Sequence, residues 1–400
     1  YKKKKLNISK SQIAQSLKMI KQSKRPLILI GNGVKLSKTT QLIKNFIKKN
    51  NLPYACTWGI TDLFESNDML NAGSFGVAAS RYGNFTLQQS DLLLCLGMRL
   101  SAQIVGGDPK KFSPNSKKIL VDIDNNEFKS HRLPKINLKI NANIKDYINA
   151  LNKKKLNLDK KGISNWIKKI KYLKKNFPIL SKKNYLDKHY VDPYYFFHRL
   201  SNFIKANSIL IPDASANLIW TYQAFKVLKK LNIFTAFNHS PMGYSLAASV
   251  GAYLGSKKKL VTAIIGDGSV PMNVQELETI KHHNVNVKIF VINNKGYTLI
   301  KQTQETWLGS RYAGVDKSSG LSLPDNCKIA ESYGIKSITI VNNKDVNSKL
   351  KTIYKKKGPL LIDVRVNPKS RVAPKIDFGK PLHDMSPRLP STIIENMMKN

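Results

Sequence analysis

The residues with the clearest chemical capacity lie in two short segments. Gly266-Asp267-Gly268-Ser269 follows the apolar run 260–265, and Asn293-Asn294 follows the apolar run 287–292. Twenty-four residues separate Gly268 from Asn293. That gap suits one crossover helix, from Asn273 to about His282, and one strand. Parallel strands joined in this way end side by side, so Asp267 and Asn294 are expected at one crevice, where open α/β sheets bind ligands. Asp267 offers a carboxylate, Asn294 an amide oxygen and Gly296 a backbone carbonyl. Three hard oxygens on one side of a cation leave room for water and two phosphate oxygens, which is how magnesium is shared with a diphosphate. Gly268 lets the backbone come close. Ser269 and the N-terminus of the following helix are placed to donate to the anion. A lone Gly-Asp-Gly is a common turn; its weight here comes from the strand before it, the helix after it and the asparagine pair ending the next strand.

Both segments belong to a repeating strand–helix rhythm. Residues 27–30 read as a buried strand, Gly31-Asn32-Gly33 as a turn, and Leu42, Ile43, Phe46 and Ile47 as one helix face. Residues 54–57, 91–97 and 118–124 read as further strands. Residues 151–185 differ: they are lysine-rich, interrupted by Gly162 and Pro178, with Trp166, Ile167, Ile170 and Leu173 at helical spacing. The rhythm returns with strands at 209–211, 260–265, 287–292 and 359–364. Short apolar strands alternating with helices imply parallel sheets covered on both faces. The expected fold is therefore α/β: two parallel-sheet, three-layer α/β domains joined by a helical linker. Residues 1–150 form a central Rossmann-like domain, 151–185 the linker, 186–370 the diphosphate-binding domain and 371–400 a proline-containing tail of little periodicity.

Composition narrows the function classes. The 400-residue chain carries a formal net charge of +42, but only nine of its 67 basic residues are arginine. Phosphate and base-edge recognition favours the guanidinium fork. The lysines are scattered among Asn and Ile over nearly every helix-like segment, which reads as coding bias on solvated faces rather than a specific nucleic-acid surface. A polyanion-binding protein would need them gathered on one face. The apolar runs are too short to cross a bilayer, and no signal peptide opens the chain. It begins with Tyr1 and a lysine run, read as a cut start. Cys56, Cys95 and Cys327 form neither a disulfide framework nor a zinc pattern, which fits reduced thiols in the cytoplasm.

The segment 265–297 resembles the thiamine-diphosphate (ThDP) motif of the acetolactate synthase, pyruvate oxidase and pyruvate decarboxylase superfamily. The resemblance implies that Asp267, Asn294 and the Gly296 carbonyl hold Mg2+, and that Gly266, Gly268, Ser269 and Tyr297 line the cofactor. Ser240-Pro241-Met242-Gly243-Tyr244 resembles the family's segment beneath the cofactor. Ser240 would lie at the cofactor, and Met242 would act catalytically by propping ThDP in its bent form, catalysis by orientation. Asp213-Ala214-Ser215-Ala216-Asn217 takes the place of a loop that touches the diphosphate. The family's Gly-Gln-His is Ser-Ala-Asn here, so Ser215 and Asn217 are candidates on a loose match.

The first half is similar to the central domain of acetolactate synthase large subunits, through 25–34, Thr57-Trp58, Asn84-Phe85, 91–100 and Val121-Asp122-Ile123-Asp124. That domain often carries FAD, and Gly31, Gly33, Arg99 and Asp122 are the positions to contact it. Leu36, however, fills the third glycine place of the dinucleotide fingerprint. The resemblance runs from about residue 12 to 390 and implies a ThDP- and Mg2+-dependent 2-keto acid carboligase or decarboxylase. A keto acid such as pyruvate would be its substrate, in the manner of branched-chain amino acid biosynthesis. Two departures qualify this. Thr303 stands where acetolactate synthases have a channel tryptophan, and Pro381-Leu382-His383-Asp384-Met385-Ser386-Pro387 resembles a divergent branch. The family's glutamate-bearing N-terminal pyrimidine-binding domain has no counterpart in these residues. The expected partners are that domain and further copies in a homo-oligomer, meeting an apolar face near Met242. The alternatives are a non-catalytic cofactor-binding scaffold and one half of a split enzyme.

Overall fold

A computed structural model describes residues 7–398; the lysine run at 2–5 lies outside them. The chain divides into two compact units: residues up to 178 together with those from 373 onward, and residues 179–372.

The first unit holds strands β1 (Pro26–Ile30), β2 (Tyr54–Cys56), β3 (Asn71–Ser74), β4 (Leu92–Leu96), β5 (Lys117–Asp122) and β6 (Leu138–Asn141). All run parallel in the order β3-β2-β1-β4-β5-β6. Every residue of β1 and β4 is buried, because helices cover both sheet faces. Alternation along the strands divides the core in two. Ile28, Ile30, Leu94 and Leu96 pack with Ile43, Phe46, Tyr147 and Ile148. Leu27, Leu29, Leu93 and Cys95 pack with Leu87, Trp166 and Ile170.

Two stretches differ from the sequence expectation. Residues 151–185, read as a linker, contain the helix Lys160–Asn176, which is part of this unit. Trp166 is buried in its core and donates its indole N–H to the Pro26 carbonyl at 3.1 Å. Truncating such a ring costs about 3–5 kcal/mol, far beyond what a free linker would show. The tail, read as aperiodic, also returns to this unit. It pairs β13 (Lys375–Ile376) with β14 (Met385–Ser386) and ends in the helix Ser391–Met398. Ile376, Leu382 and Met385 are buried in the same core as Trp166. Strands of two residues leave no periodic signature, which is why the pattern missed them.

The second unit holds β7 (Ile209–Pro212), β8 (Asn232–Ile233), β9 (Val261–Gly266), β10 (Val287–Asn293), β11 (Ser337–Ile340) and β12 (Leu360–Arg365), again all parallel, in the order β11-β12-β10-β9-β7-β8. The expected crossover between β9 and β10 is present but divided. A 3-10 turn, Val270–Asn273, precedes the helix Glu276–His282, whose Leu277 and Ile280 are buried. The two strands are neighbours with Ile292 opposite Gly266, so they end level. Among the described residues no helix is long and apolar enough to cross a membrane. Cys56, Cys95 and Cys327 are free, the first two buried.

Two lysines depart from the solvated-face reading. Lys118 on β5 and Lys288 on β10 are buried. Each ammonium bonds carbonyls: Lys118 those of Ser113 and Ser116 at 2.7 and 2.9 Å, Lys288 that of Gly358 at 2.6 Å. Burial lowers both from 10.5 to about 8. Between those values the unfolded chain binds more protons than the folded one, so stability rises with pH and is lost as pH falls through 8. Urea unfolding from pH 8 to pH 10 should show this rise in the parent chain and a shallower one in Lys118→Met and Lys288→Met. Equal slopes in all three would exclude these groups as its source.

Candidate cofactor site

The site forms where β9 and β10 end. Asp267 is buried, and its carboxylate joins the two strand ends. It accepts from the Gly268 N–H at 2.8 Å on its own turn and from the Gly296 N–H at 3.2 Å beyond β10. Burial pushes this carboxyl up to about 7, against the opposing pull of the Gly268, Lys295 and Gly296 amides. A positive neighbour would favour the charged form of a carboxylate desolvated this far.

Asn294 stands across from it, buried, and its side-chain oxygen has no hydrogen-bond partner. Asn217 is likewise buried with an unpartnered side-chain oxygen. Its amide nitrogen sits 3.3 Å from where a Cβ on Gly266 would be. Tyr297 lies against Gly268 so closely that a Cβ there would be 2.2 Å from the ring. Gly296 has φ +156 and equally little space, 2.2 Å from the Val315 carbonyl. Glycine is thus required at 268 for Tyr297 to pack on its turn, and at 296 for the chain to pass the Val315 carbonyl. Contacts thus link Asp267 to Gly268 and Gly296, Asn217 to Gly266, and Tyr297 to Gly268, and Asn294 follows the end of the neighbouring strand β10.

The others are placed less directly. Ser269 was expected to donate to an anion; its hydroxyl lies within hydrogen-bonding reach of Asp213 and favours that residue's charged form. Ser215 begins the helix Ser215–Ala224 with φ +66. Ser240 directs its hydroxyl to the Phe237 carbonyl at 3.2 Å. Met242 is half-buried and precedes Gly243, where a Cβ would meet the Asn273 amide at 2.7 Å. The Met242 segment is thus held against the turn that follows Gly-Asp-Gly-Ser. Asp213, read from the sequence only as part of a loop, is buried and accepts from the Gly243 and Ser245 N–H groups. Nothing in its own sequence neighbourhood marks that role.

Mg2+ and a diphosphate fit these residues. An unpartnered amide oxygen and a buried carboxylate lie at neighbouring strand ends. Asp267, Asn294 and the Gly296 carbonyl are hard oxygen donors of the kind magnesium takes alongside phosphate. Among the described residues no three His, Cys, Asp or Glu side chains gather as an all-protein metal cluster, so any ion here is one completed by its ligand.

The positions expected to contact a flavin in the first unit have partners within the protein. The Gly31 and Gly33 N–H groups, which would face a diphosphate, both donate at 2.9 Å to the Leu96 and Gly97 carbonyls. A Cβ on Gly33 would be 2.8 Å from Gly97, so the turns after β1 and β4 pack backbone to backbone. The helix behind it, Gly33–Leu36, has four residues, too short to add a useful dipole. Arg99 pairs with Glu127 at 2.9 Å, and Asp122 accepts from the Asp124 N–H at 2.9 Å. A cavity of about 470 Å³ in this unit is lined by Ala102, Val105, Gly107, Pro109, His131, Arg132 and Phe378, and by none of these four residues.

Comparison with known proteins agrees with the division into units. Residues 13–151 match the thiamine pyrophosphate enzyme central domain, and residues 213–364 match the thiamine pyrophosphate enzyme C-terminal TPP binding domain. The acetolactate synthase large subunit of Cyanidium caldarium is 30% identical over 371 residues, covering 92% of this chain and 62% of that protein. That of Porphyra purpurea is 30% identical over 381 residues, with 94% and 62% covered. A probable acetolactate synthase large subunit of Methanococcus aeolicus is 31% identical over 377 residues, with 90% and 61% covered. The chain thus spans about three-fifths of the length of these relatives.

Removing the Asp267 carboxylate tests the site directly. Asp267→Ala should abolish magnesium-dependent ThDP binding, because the diphosphate would then face only neutral acceptor oxygens. Isothermal titration with and without Mg2+ checks this, and unchanged affinity in the variant would refute the assignment.

Proposed function

The chain belongs to the thiamine pyrophosphate enzyme family, and from that premise we propose that it is the cofactor-binding part of an acetolactate-synthase-like 2-keto acid carboligase or decarboxylase. In this reading Asp267, Asn294 and the Gly296 carbonyl hold Mg2+, and the ion holds the diphosphate of ThDP. The observation that carries it is the buried, unpartnered Asn294 oxygen just past β10, the strand paired with the one that ends before the buried Asp267 carboxylate. Bound ThDP would supply the carbon nucleophile and electron sink that 2-keto acid decarboxylation needs.

The protein's own part is orientation. Asp267 and Asn294 fix one end of the cofactor at the strand ends. Asn217, over Gly266, and Tyr297, over Gly268, form the walls of the crevice. Met242, half-buried, would support the organic end of the cofactor and favour its bent form. The buried carboxylates of this region are committed, Asp267 to the ion and Asp213 to backbone amides. The proton-handling carboxylate is therefore read as coming from a pyrimidine-binding domain, in the same polypeptide or in a partner subunit of a homo-oligomer.

The surface supports such a partner. The helix Tyr244–Gly255, immediately after Met242, carries no charged residue. Ala247, Gly251 and Leu254 are nevertheless exposed on it, along with Met272 and Ile300 nearby in sequence to the two turns. Uncharged helices of this kind are normally covered. The keto acid is read as pyruvate-like, and Thr303, exposed, as leaving the acceptor end without the family's tryptophan. The three free thiols accord with a reducing compartment such as the cytoplasm.

We further read the first unit as working without flavin, since the donors a dinucleotide requires are engaged within the protein. Purified chain incubated with FAD and desalted should retain no flavin absorbance; stoichiometric retention would contradict this.

Pyruvate decarboxylation with saturating Mg2+ and ThDP tests the function. The 400-residue chain alone should release little carbon dioxide, and adding a pyrimidine-binding domain, fused or in trans, should restore release. Robust turnover by the chain alone would show that the proton-handling group lies within it. In the restored enzyme, Met242→Ala should lower turnover far more than cofactor affinity, and an unchanged rate of proton exchange at the thiazolium carbon would count against its propping role.

A further inference from the structure

We propose that Asp213 is a positioning residue that ties the Met242 segment to the Gly-Asp-Gly-Ser turn, so that the two ends of the cofactor site keep a fixed separation. The inference rests on the cofactor reading of the site. Asp213 follows β7, whose last residue, Pro212, pairs with Ile264 of β9. Its own N–H donates to the Ile264 carbonyl at 2.8 Å, and its carbonyl accepts from the Thr235 hydroxyl at 3.3 Å, so its backbone is fixed on both sides. The side chain is 1% exposed.

From that anchored position the carboxylate reaches two separate segments. One oxygen accepts from the Gly243 N–H at 3.0 Å and the other from the Ser245 N–H at 2.9 Å. These amides lie at the start of the helix Tyr244–Gly255, which has glycine at its cap position and no side-chain cap of its own. A carboxylate is the group a helix N-terminus favours, and here it comes from a residue thirty positions earlier. The Ser269 hydroxyl, two residues past Asp267, lies within reach of the same carboxylate. One buried group thus orients the residue following Met242 and the turn carrying the metal-binding carboxylate. Charge-assisted bonds in a site without water are strongly directional. Replacing the charge loosens one end relative to the other without removing any group that touches the ligand.

The test compares Asp213→Asn with the parent chain, using inorganic diphosphate and ThDP as probes, each with Mg2+. Diphosphate senses only the metal end, whereas ThDP also senses Met242. In Asp213→Asn, diphosphate affinity should stay within about twofold, and ThDP affinity should fall about tenfold, the size expected for loss of a charged hydrogen-bond acceptor. Amide exchange should accelerate at Gly243 and Ser245 before any probe is added. If both probes weaken equally, or neither weakens, Asp213 has no positioning role. If Asp213→Asn does not fold, the parent chain still decides: the Gly243 and Ser245 amides should be among the slowest to exchange in 240–249, and free exchange there would overturn the proposal. Asp267→Ala distinguishes the underlying reading. If that variant keeps its affinity for both probes, the cofactor site is misassigned, whatever Asp213 does.

Discussion

Everything at the proposed site follows from the cost of leaving oxygen atoms without partners at the ends of buried strands. The ladder hydrogen bonds of β9 and β10 stop at Gly266 and Asn293, and the next polar groups are shielded from water by the turns packed around them. A buried acceptor without a partner costs about 1–3 kcal/mol, and a charged one more. The unpartnered Asn294 oxygen carries that cost, and the Asp267 carboxylate, although it accepts from the Gly268 and Gly296 N–H groups, carries the cost of burial. In the proposed reading a divalent cation would offset both costs at once, and a diphosphate would complete its coordination.

The sheet converts this local requirement into a fixed geometry. Because β9 and β10 are parallel neighbours in register, Asp267 and Asn294 cannot drift along the strand direction without breaking ladder bonds. Apolar residues from both strands fill the core beneath, including Ile265, Val287, Ile289 and Val291. Gly268 allows the ring of Tyr297 to pack against its turn, and Gly296 allows the 295–297 turn to pack against Val315. In the proposed reading, strand register sets the metal end of the site, and Asp213 links it to the Met242 segment.

What could be read from the sequence depended on how local its cause was. Interior strands such as β1, β4, β9 and β10 are buried on both faces and show as continuous apolar runs. Edge strands were not legible: β3, β6, β8 and β11 are short, and β6 and β11 carry exposed or half-exposed positions. The placement of Asp267 and Asn294 at neighbouring strand ends was legible because their separation follows from strand and helix lengths. Asp213 was not, because its task is defined by amides thirty residues away in the chain. Trp166 and Met385 were read as linker and tail for the same reason, their burial being decided by tertiary contacts. Lys118 and Lys288 show the limit of the charge argument: a composition that explains scattered lysines cannot say which two lie inside a sheet.

The most direct test of this account is the position of the ion itself, in crystals of the chain grown with Mg2+ and ThDP. The account predicts one ion, about 2.0–2.1 Å from its oxygens as magnesium requires, bound by Asp267, the Asn294 side-chain oxygen and the Gly296 carbonyl, with two further positions taken by diphosphate oxygens. ThDP bound with Asn294 outside the coordination sphere, or an ordered ion held elsewhere in the second unit, would contradict it.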